Sequence, residues 1–155
     1  MTDISWRWRH FDDLTRESLY AILQLRQEVF VVEQDCVYLD ADGLDSAAYH
    51  LTGSVGDSEH SEVVAYTRVV PAGLKFAELS IGRVLTSQSV RGRGVGRNLM
   101  HETLRRIELF FPGADIRISA QHYLERFYTD LGFRTESAPY DEDGIPHIEM
   151  LRRNP

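Results

Sequence analysis

The stretch Arg91-Gly92-Arg93-Gly94-Val95-Gly96 constrains this chain more than any other. It follows an apolar segment of strand character, about Leu79 to Leu85, and opens a run of helical periodicity, about Gly94 to Phe111. A strand must therefore hand over to a helix through a turn with glycine at alternate positions. Such a unit aims several backbone N–H groups and the positive end of a helix at one point, which is the geometry of a phosphate cradle. Glycine permits positive φ and close approach of the backbone. Arg91, Arg93 and Arg97 add charge for phosphate oxygens. A plain tight turn with solvated arginines is the competing reading.

Two common nucleotide motifs fit poorly. A Walker loop needs Gly-Lys-Ser/Thr, and Gly96 is followed by Arg97-Asn98. A dinucleotide fingerprint needs G-x-G-x-x-G, whereas Gly92, Gly94 and Gly96 alternate. Asp115 is an acid at roughly the right distance, but it precedes a strand at Ile116 to Ile118 instead of ending one.

The 155 residues suit one domain, residues 1–155, with neither a repeat nor a low-complexity tract. Ile4, Trp6 and Trp8 alternate with polar residues as a first strand. Asp13 and Thr15 are N-caps for a helix reaching about Phe30, with a stripe of Leu19, Ile22, Leu23, Val29 and Phe30. Residues 33–47 read as irregular. Strands follow at about Tyr49 to Val55 and Val63 to Val70, joined by a polar hairpin loop over 56–61. After the glycine turn and its helix come the Ile116 strand and a short helix carrying Leu124, Phe127, Tyr128 and Leu131. Closing strands near Phe133 to Ser137 and His147 to Leu151 flank the turn Asp141-Glu142-Asp143-Gly144. This order predicts a mixed sheet flanked by helices, an α+β domain.

A net charge of -7 argues against general nucleic-acid binding, and it suits attraction of small cations or solubility equally well. One cysteine, Cys36, excludes an internal disulfide framework and agrees with a reducing compartment. No basic-then-apolar leader is read at the start, and no apolar run nears the ~18 residues of a membrane span. The expectation is a cytoplasmic protein without a membrane partner. A homodimer is expected only from the general frequency of twofold oligomers.

The glycine turn resembles motif A of the GCN5-related N-acetyltransferases (GNAT), Q/R-x-x-G-x-G/A, with Arg91, Gly94 and Gly96 at its fixed positions. That superfamily's next helix usually carries a tyrosine four residues before Gly-Phe, as Tyr128 stands before Gly132-Phe133. Leu25-Arg26 with Val29-Phe30-Val31-Val32-Glu33-Gln34, and the string from Tyr140 to His147, look like its ElaA branch. The resemblance covers essentially the whole chain. It implies the GNAT fold, a mostly antiparallel, splayed sheet of six or seven strands flanked by helices.

The resemblance also implies acetyl-CoA as cosubstrate, without metal, and direct transfer to an amine of a small molecule or peptide. Val84, Leu85 and Thr86 would pair with pantetheine like an added strand, and a backbone N–H near Val84 would polarise the thioester carbonyl. The amides from Gly92 through Arg93, Gly94, Val95 and Gly96 to Arg97 would cradle the pyrophosphate. Leu124 and Phe127 would flank pantetheine, or simply fill the core. Tyr128 would protonate the leaving thiolate, although its spacing equally fits a tyrosine packed against the sheet. Gln121 stands where many members carry a cofactor-binding asparagine. As proton acceptor for the amine, Glu33 and His147 rank first and Glu78 and His50 follow. Cys36 has no activating neighbour in sequence and reads as packed.

Between Glu33 and Asp45 stand Glu33, Asp35, Asp40, Asp42 and Asp45, with no Lys or Arg. This segment would attract a cationic acceptor or be merely a solvated acidic loop. Asp40-x-Asp42-Gly43 lacks most of a calcium-loop pattern. Two rival functions remain, a CoA-binding regulatory module without turnover and a nucleotide-binding adaptor.

Overall fold

The computed structural model describes residues 3–57 and 59–154, and its organising feature is a sheet that comes apart in the middle. β1 (Ser5–His10), β2 (Tyr49–Val55), β3 (Glu62–Val70) and β4 (Leu79–Thr86) run antiparallel in sequence order. β4 then meets β5 (Ile116–Gln121) in parallel, but only at Leu79–Ile116 and Ser80–Arg117. Beyond those pairs both strands continue unpaired to each other. β5 instead pairs along its whole length with β8 (Ile145–Arg152), which also carries β6 (Arg134–Thr135) and β7 (Tyr140–Glu142).

The described residues therefore hold eight strands, against the six or seven expected. The extra one comes from the acidic turn, which tightens to two residues. Asp143 and Gly144 both take positive φ, +52° and +82°, the two-residue geometry that Asp-Gly favours, so Tyr140–Glu142 is drawn into the ladder. In exchange, the strand expected from Phe133 shortens to Arg134–Thr135. In the 56–61 loop, Ser58 lies outside the described residues.

α1 (Arg16–Arg26) starts at Thr15, whose hydroxyl accepts from the Ser18 N–H at 3.0 Å. Asp13, the other expected cap, ends a preceding 3-10 turn instead. The helix runs on towards Phe30 as expected, but its geometry changes: Gln27–Glu33 is π-helical. From this π segment, a form common at functional sites, Phe30 and Glu33 face the sheet opening, joined by Gln34 just beyond it. Ile22, Leu25 and Val29 bury against Tyr66 and Leu85.

α2 (Val95–Phe110) covers the opposite sheet face, burying Leu99, Met100 and Ile107, each worth roughly 1.5–3 kcal/mol of apolar transfer. Thr103 interrupts that stripe without an unsatisfied hydroxyl, donating to the Leu99 carbonyl at 2.7 Å and meeting the Thr67 hydroxyl at 2.9 Å. α3 (Glu125–Thr129) brings Tyr128 and, just beyond it, Phe133 into the same core.

Candidate active site

Where β4 and β5 part, they leave an open cleft of about 490 Å³. Gly82 to Thr86 form one wall and Ile118 to Gln121 the other. Leu124 and Tyr128 also line it, as do the π-helical Phe30 and Glu33 and, just after them, Gln34. β4 carries an irregularity here: Tyr66 faces Leu85 and Arg68 faces Gly82, so Arg83 and Val84 together oppose Thr67. This bulge leaves one residue of β4 outside the ladder and bends the strand away from β5.

The glycine turn begins just beyond the end of β4. Gly92 and Gly94 take φ of +78° and +75°, and Gly94 is the left-handed N-cap of α2. The first intrahelical bond runs from the Asn98 N–H to the Gly94 carbonyl at 3.1 Å, with the amides of Val95, Gly96 and Arg97 ahead of it. Gly96 differs from its neighbours. Its φ is ordinary and no atom lies within 4 Å of where a Cβ would stand, so neither conformation nor crowding within the chain requires glycine. A glycine inside a helix is worth about 1 kcal/mol less than alanine. Without a side chain there, the first turn's amides stay open, the geometry in which a helix end can seat an anion. Arg93 and Arg97 stand exposed beside it, and buried Val95 anchors the turn in the core.

Arg91 faces the cleft instead of the turn. Its Nε and Nη2 donate to the Thr86 carbonyl at 3.2 and 2.8 Å, its Nη2 donates to Glu33 Oε2 at 3.0 Å, and its Nη1 donates to Glu33 Oε1. Two residues expected to play separate parts, one at the cofactor and one as a base, are thus each other's partners. The hydrogen bond from Arg91 holds the Glu33 carboxyl below its ordinary range, which weakens it as a proton acceptor.

Tyr128 lines the cleft with 5% of its surface exposed, and burial pushes its phenol well above the ordinary value. It keeps its proton at neutral pH, the state an acid must start from. Leu124 also lines the cleft. Phe127 does not: half-buried, it packs edge-on against Tyr128 at 5.1 Å between ring centroids and lies against the core. Gln121 ends β5 in the cleft wall and donates to Gln34 Oε1 at 3.4 Å.

His147 lines the cleft from β8 with Nδ1 2.7 Å from the Ile145 carbonyl and Nε2 3.1 Å from Glu142 Oε2. The other two base candidates stand elsewhere. His50 is wholly buried, its Nε2 donating to the Asp45 carbonyl at 3.0 Å while Nδ1 accepts from the Tyr66 hydroxyl at 2.6 Å; burial pushes its pKa down. Glu78 binds Arg117 at 2.8 and 3.0 Å beside the Leu79–Ile116 pair, at the closed end of β4 and β5. The Cys36 thiol donates to the Asp143 carbonyl at 3.3 Å.

The acidic segment is the largest departure from the sequence reading. Asp40, Asp42 and Asp45 are neutralised by arginines from three other elements. Arg26 donates to Asp40 at 2.8 Å and to Asp45 at 2.6 Å. Arg68 donates twice to Asp42 at 2.8 Å and to Asp45 at 3.0 Å, and Arg83 Nε lies 2.8 Å from Asp40 Oδ1. The segment is thus a stitched cover on the sheet, not a free negative field. The partners are far away in sequence. A signal existed, however: Arg26 and Arg68 each interrupt an apolar run.

Burial opposes ionisation of Asp42 and Asp45, but the bonds from Arg68 and Arg26 outweigh it and hold both carboxyls low. A lowered folded pKa gives stability that is complete above the unfolded value, about 3.9, and is lost as pH falls below it. Urea midpoints should therefore drop steeply below about pH 4, and Asp42→Asn should flatten that acid limb. An unchanged slope in the variant would show that the limb arises elsewhere.

Among the described residues no group of three or more His, Cys, Asp or Glu side chains is placed to hold a metal ion, and no helix is long and apolar enough to cross a membrane.

Known proteins resemble this chain in sequence and fold. The family profile described as an acetyltransferase (GNAT) domain matches residues 51–153. A UPF0039 protein of Synechocystis sp. is 44% identical over 153 residues, 99% of this chain and 97% of its own length. The crystal structure of an acyl-CoA N-acyltransferase from Pseudomonas aeruginosa superposes with a TM-score of 0.90 at 39% identity, covering 97% of this chain and 99% of that one. That of Escherichia coli ElaA superposes with a TM-score of 0.88 at 39% identity, covering 97% and 100%.

Proposed function

The chain belongs to the acetyltransferase (GNAT) family, and from that premise we propose that it carries an acetyl group from acetyl-CoA to the amine of a small molecule or peptide. The family and its N-acyltransferase neighbours support acyl transfer as the reaction class. The observation that carries the finer reading is the coincidence of two features at one opening. β4 and β5 separate beyond Ser80–Arg117, and the glycine turn with its open Gly96 begins just past the end of β4.

The CoA thioester supplies an activated acyl carbon and a thiolate leaving group. The chain's residues do the rest. The amides of Gly94 to Arg97 hold the pyrophosphate at the positive end of α2. The unpaired edge of β4 from Val84 to Thr86 takes the pantetheine arm, and the bulge turns a backbone N–H towards the carbonyl oxygen. As the amine forms its bond to the acyl carbon and the carbon–sulfur bond breaks, Tyr128 gives its phenolic proton to sulfur. The amine's proton goes to the His147–Glu142 pair: Nδ1–H is fixed on the Ile145 carbonyl, and Nε2 and Glu142 Oε2, 3.1 Å apart, hold the arriving proton between them. Glu33 is the weaker choice because Arg91 already occupies it. With Asp40, Asp42 and Asp45 neutralised, that segment lends no support to a cationic acceptor.

Gly96→Leu tests the cradle. Its side chain fills the space in front of the first-turn amides, so calorimetry should show CoA binding weakened at least 10-fold, about 1.4 kcal/mol, with the fold intact. Wild-type protein should bind CoA in clear preference to ATP. Equal CoA affinity in the variant would remove the cradle from the account.

A further inference from the structure

Arg83 is a non-glycine residue at φ +51°, within the β4 bulge and on the cleft wall. An L-residue in the left-handed region is strained and persists only where its surroundings over-determine it. Here they do. The guanidinium lies with Nε 2.8 Å from Asp40 Oδ1, Nη2 3.0 Å from the Asp40 carbonyl and 3.4 Å from Asp42 Oδ2, and its carbon 5.8 Å from the Tyr38 ring centre. Tyr38 in turn donates to Asp40 Oδ1 at 3.1 Å. The acids are themselves fixed, Asp40 by Arg26 and Asp42 by Arg68, which sits on β3 directly opposite Gly82.

We infer that Arg83 is a positioning residue: its clamp on Asp40 and Asp42 locks the β4 bulge and so holds the Val84 backbone aimed into the cleft. The inference rests on the acyl-transfer reading for its catalytic consequence, but the clamp itself belongs to the free protein. It gives the buried ionic network a role beyond pinning a loop. The network sets the conformation of the one residue that precedes the proposed carbonyl-polarising amide.

Glycine and alanine separate the clamp from the strain. Both delete the guanidinium, while Asp40 and Asp42 keep Arg26 and Arg68, so both variants should fold. Glycine takes φ +51° freely and alanine does not. Arg83→Ala should lower kcat about 10- to 100-fold with the Kd for CoA changed less than about 3-fold. Arg83→Gly should recover at least about 5-fold of that loss. In the free protein, amide exchange at Val84 and Leu85 should be fastest in the alanine variant, and its melting temperature should be the lowest of the three. Alanine and glycine variants equal to each other in both exchange and melting would overturn the inference. If no amine is acylated by wild-type protein, the functional reading fails while the exchange comparison still decides the clamp. Full kcat in Arg83→Ala would also overturn it.

Discussion

Arg68→Met should destabilise the fold by about 3 kcal/mol, the low end of what breaking one side of a buried ion pair costs. Arg68 is fully buried on β3 and makes three hydrogen bonds, two to Asp42 and one to Asp45. Burial alone would favour its uncharged form, but the bonds and charges of Asp42 and Asp45 raise its pKa. Methionine matches the length of the stem and removes the charge, so the loss falls on the acids left behind. They are not wholly stranded, since Arg26 still reaches Asp45 and Arg83 still reaches Asp42. That residual pairing is why the low end of the range applies. Urea unfolding measures it through the midpoint at constant slope. Arg105→Ala is the control: Arg105 pairs with Glu102 on the exposed face of α2 and should leave the midpoint where it was. A loss below about 1 kcal/mol at Arg68 would mean that the network is a surface feature in energetic terms.

Tyr128→Phe should lower kcat at least about 100-fold while leaving CoA affinity within a few-fold, because the phenolic proton is used only as sulfur departs. Burial raises the phenol's pKa, so the sign of the pH dependence follows. The acid form persists through neutral and mildly alkaline pH, and no loss of kcat attributable to Tyr128 should appear below about pH 10. The ring packs against Phe127 and Phe133, and phenylalanine preserves both contacts. A fall in stability therefore does not explain a fall in rate. Stopped-flow thiol release across pH 6 to 10 reads the effect. A phenylalanine variant as fast as wild type throughout that range would leave Tyr128 as a packing residue only.

The glycine turn and the core stripes were legible in sequence because their signals are local. Positive φ at Gly92 and Gly94 is a property of a few consecutive residues, and α2 buries Leu99, Met100 and Ile107 at spacings that any helix imposes. What escaped was long-range or geometric. Arg26 meets Asp40 across 14 residues, and Arg83 meets it across 43; neither separation has a period. The Glu33–Arg91 pair spans 58 residues, and Glu33 reaches it from a π segment, a geometry that hydrophobic spacing does not encode. Phe127 and Tyr128 are adjacent in sequence with different outcomes: Tyr128 joins the core and reaches the cleft wall, and Phe127 packs half-buried against that core away from the cleft. Their spacing on a short helix was compatible with both. The acids of the 33–45 segment stand out in the sequence, and the fold supplies the arginines that balance them.

The central claim is that the opening between β4 and β5 transfers an acyl group from CoA to an amine. Incubating the protein with acetyl-CoA and a panel of small amines and peptides, while counting free thiol and acetylated amine by mass spectrometry, tests it directly. The account predicts at least one amine acetylated in a one-to-one ratio with thiol released, with both signals reduced together in Gly96→Leu at sub-saturating acetyl-CoA. Tight CoA binding with no acetylated amine from any member of the panel, or thiol release without acetylated product, would contradict it.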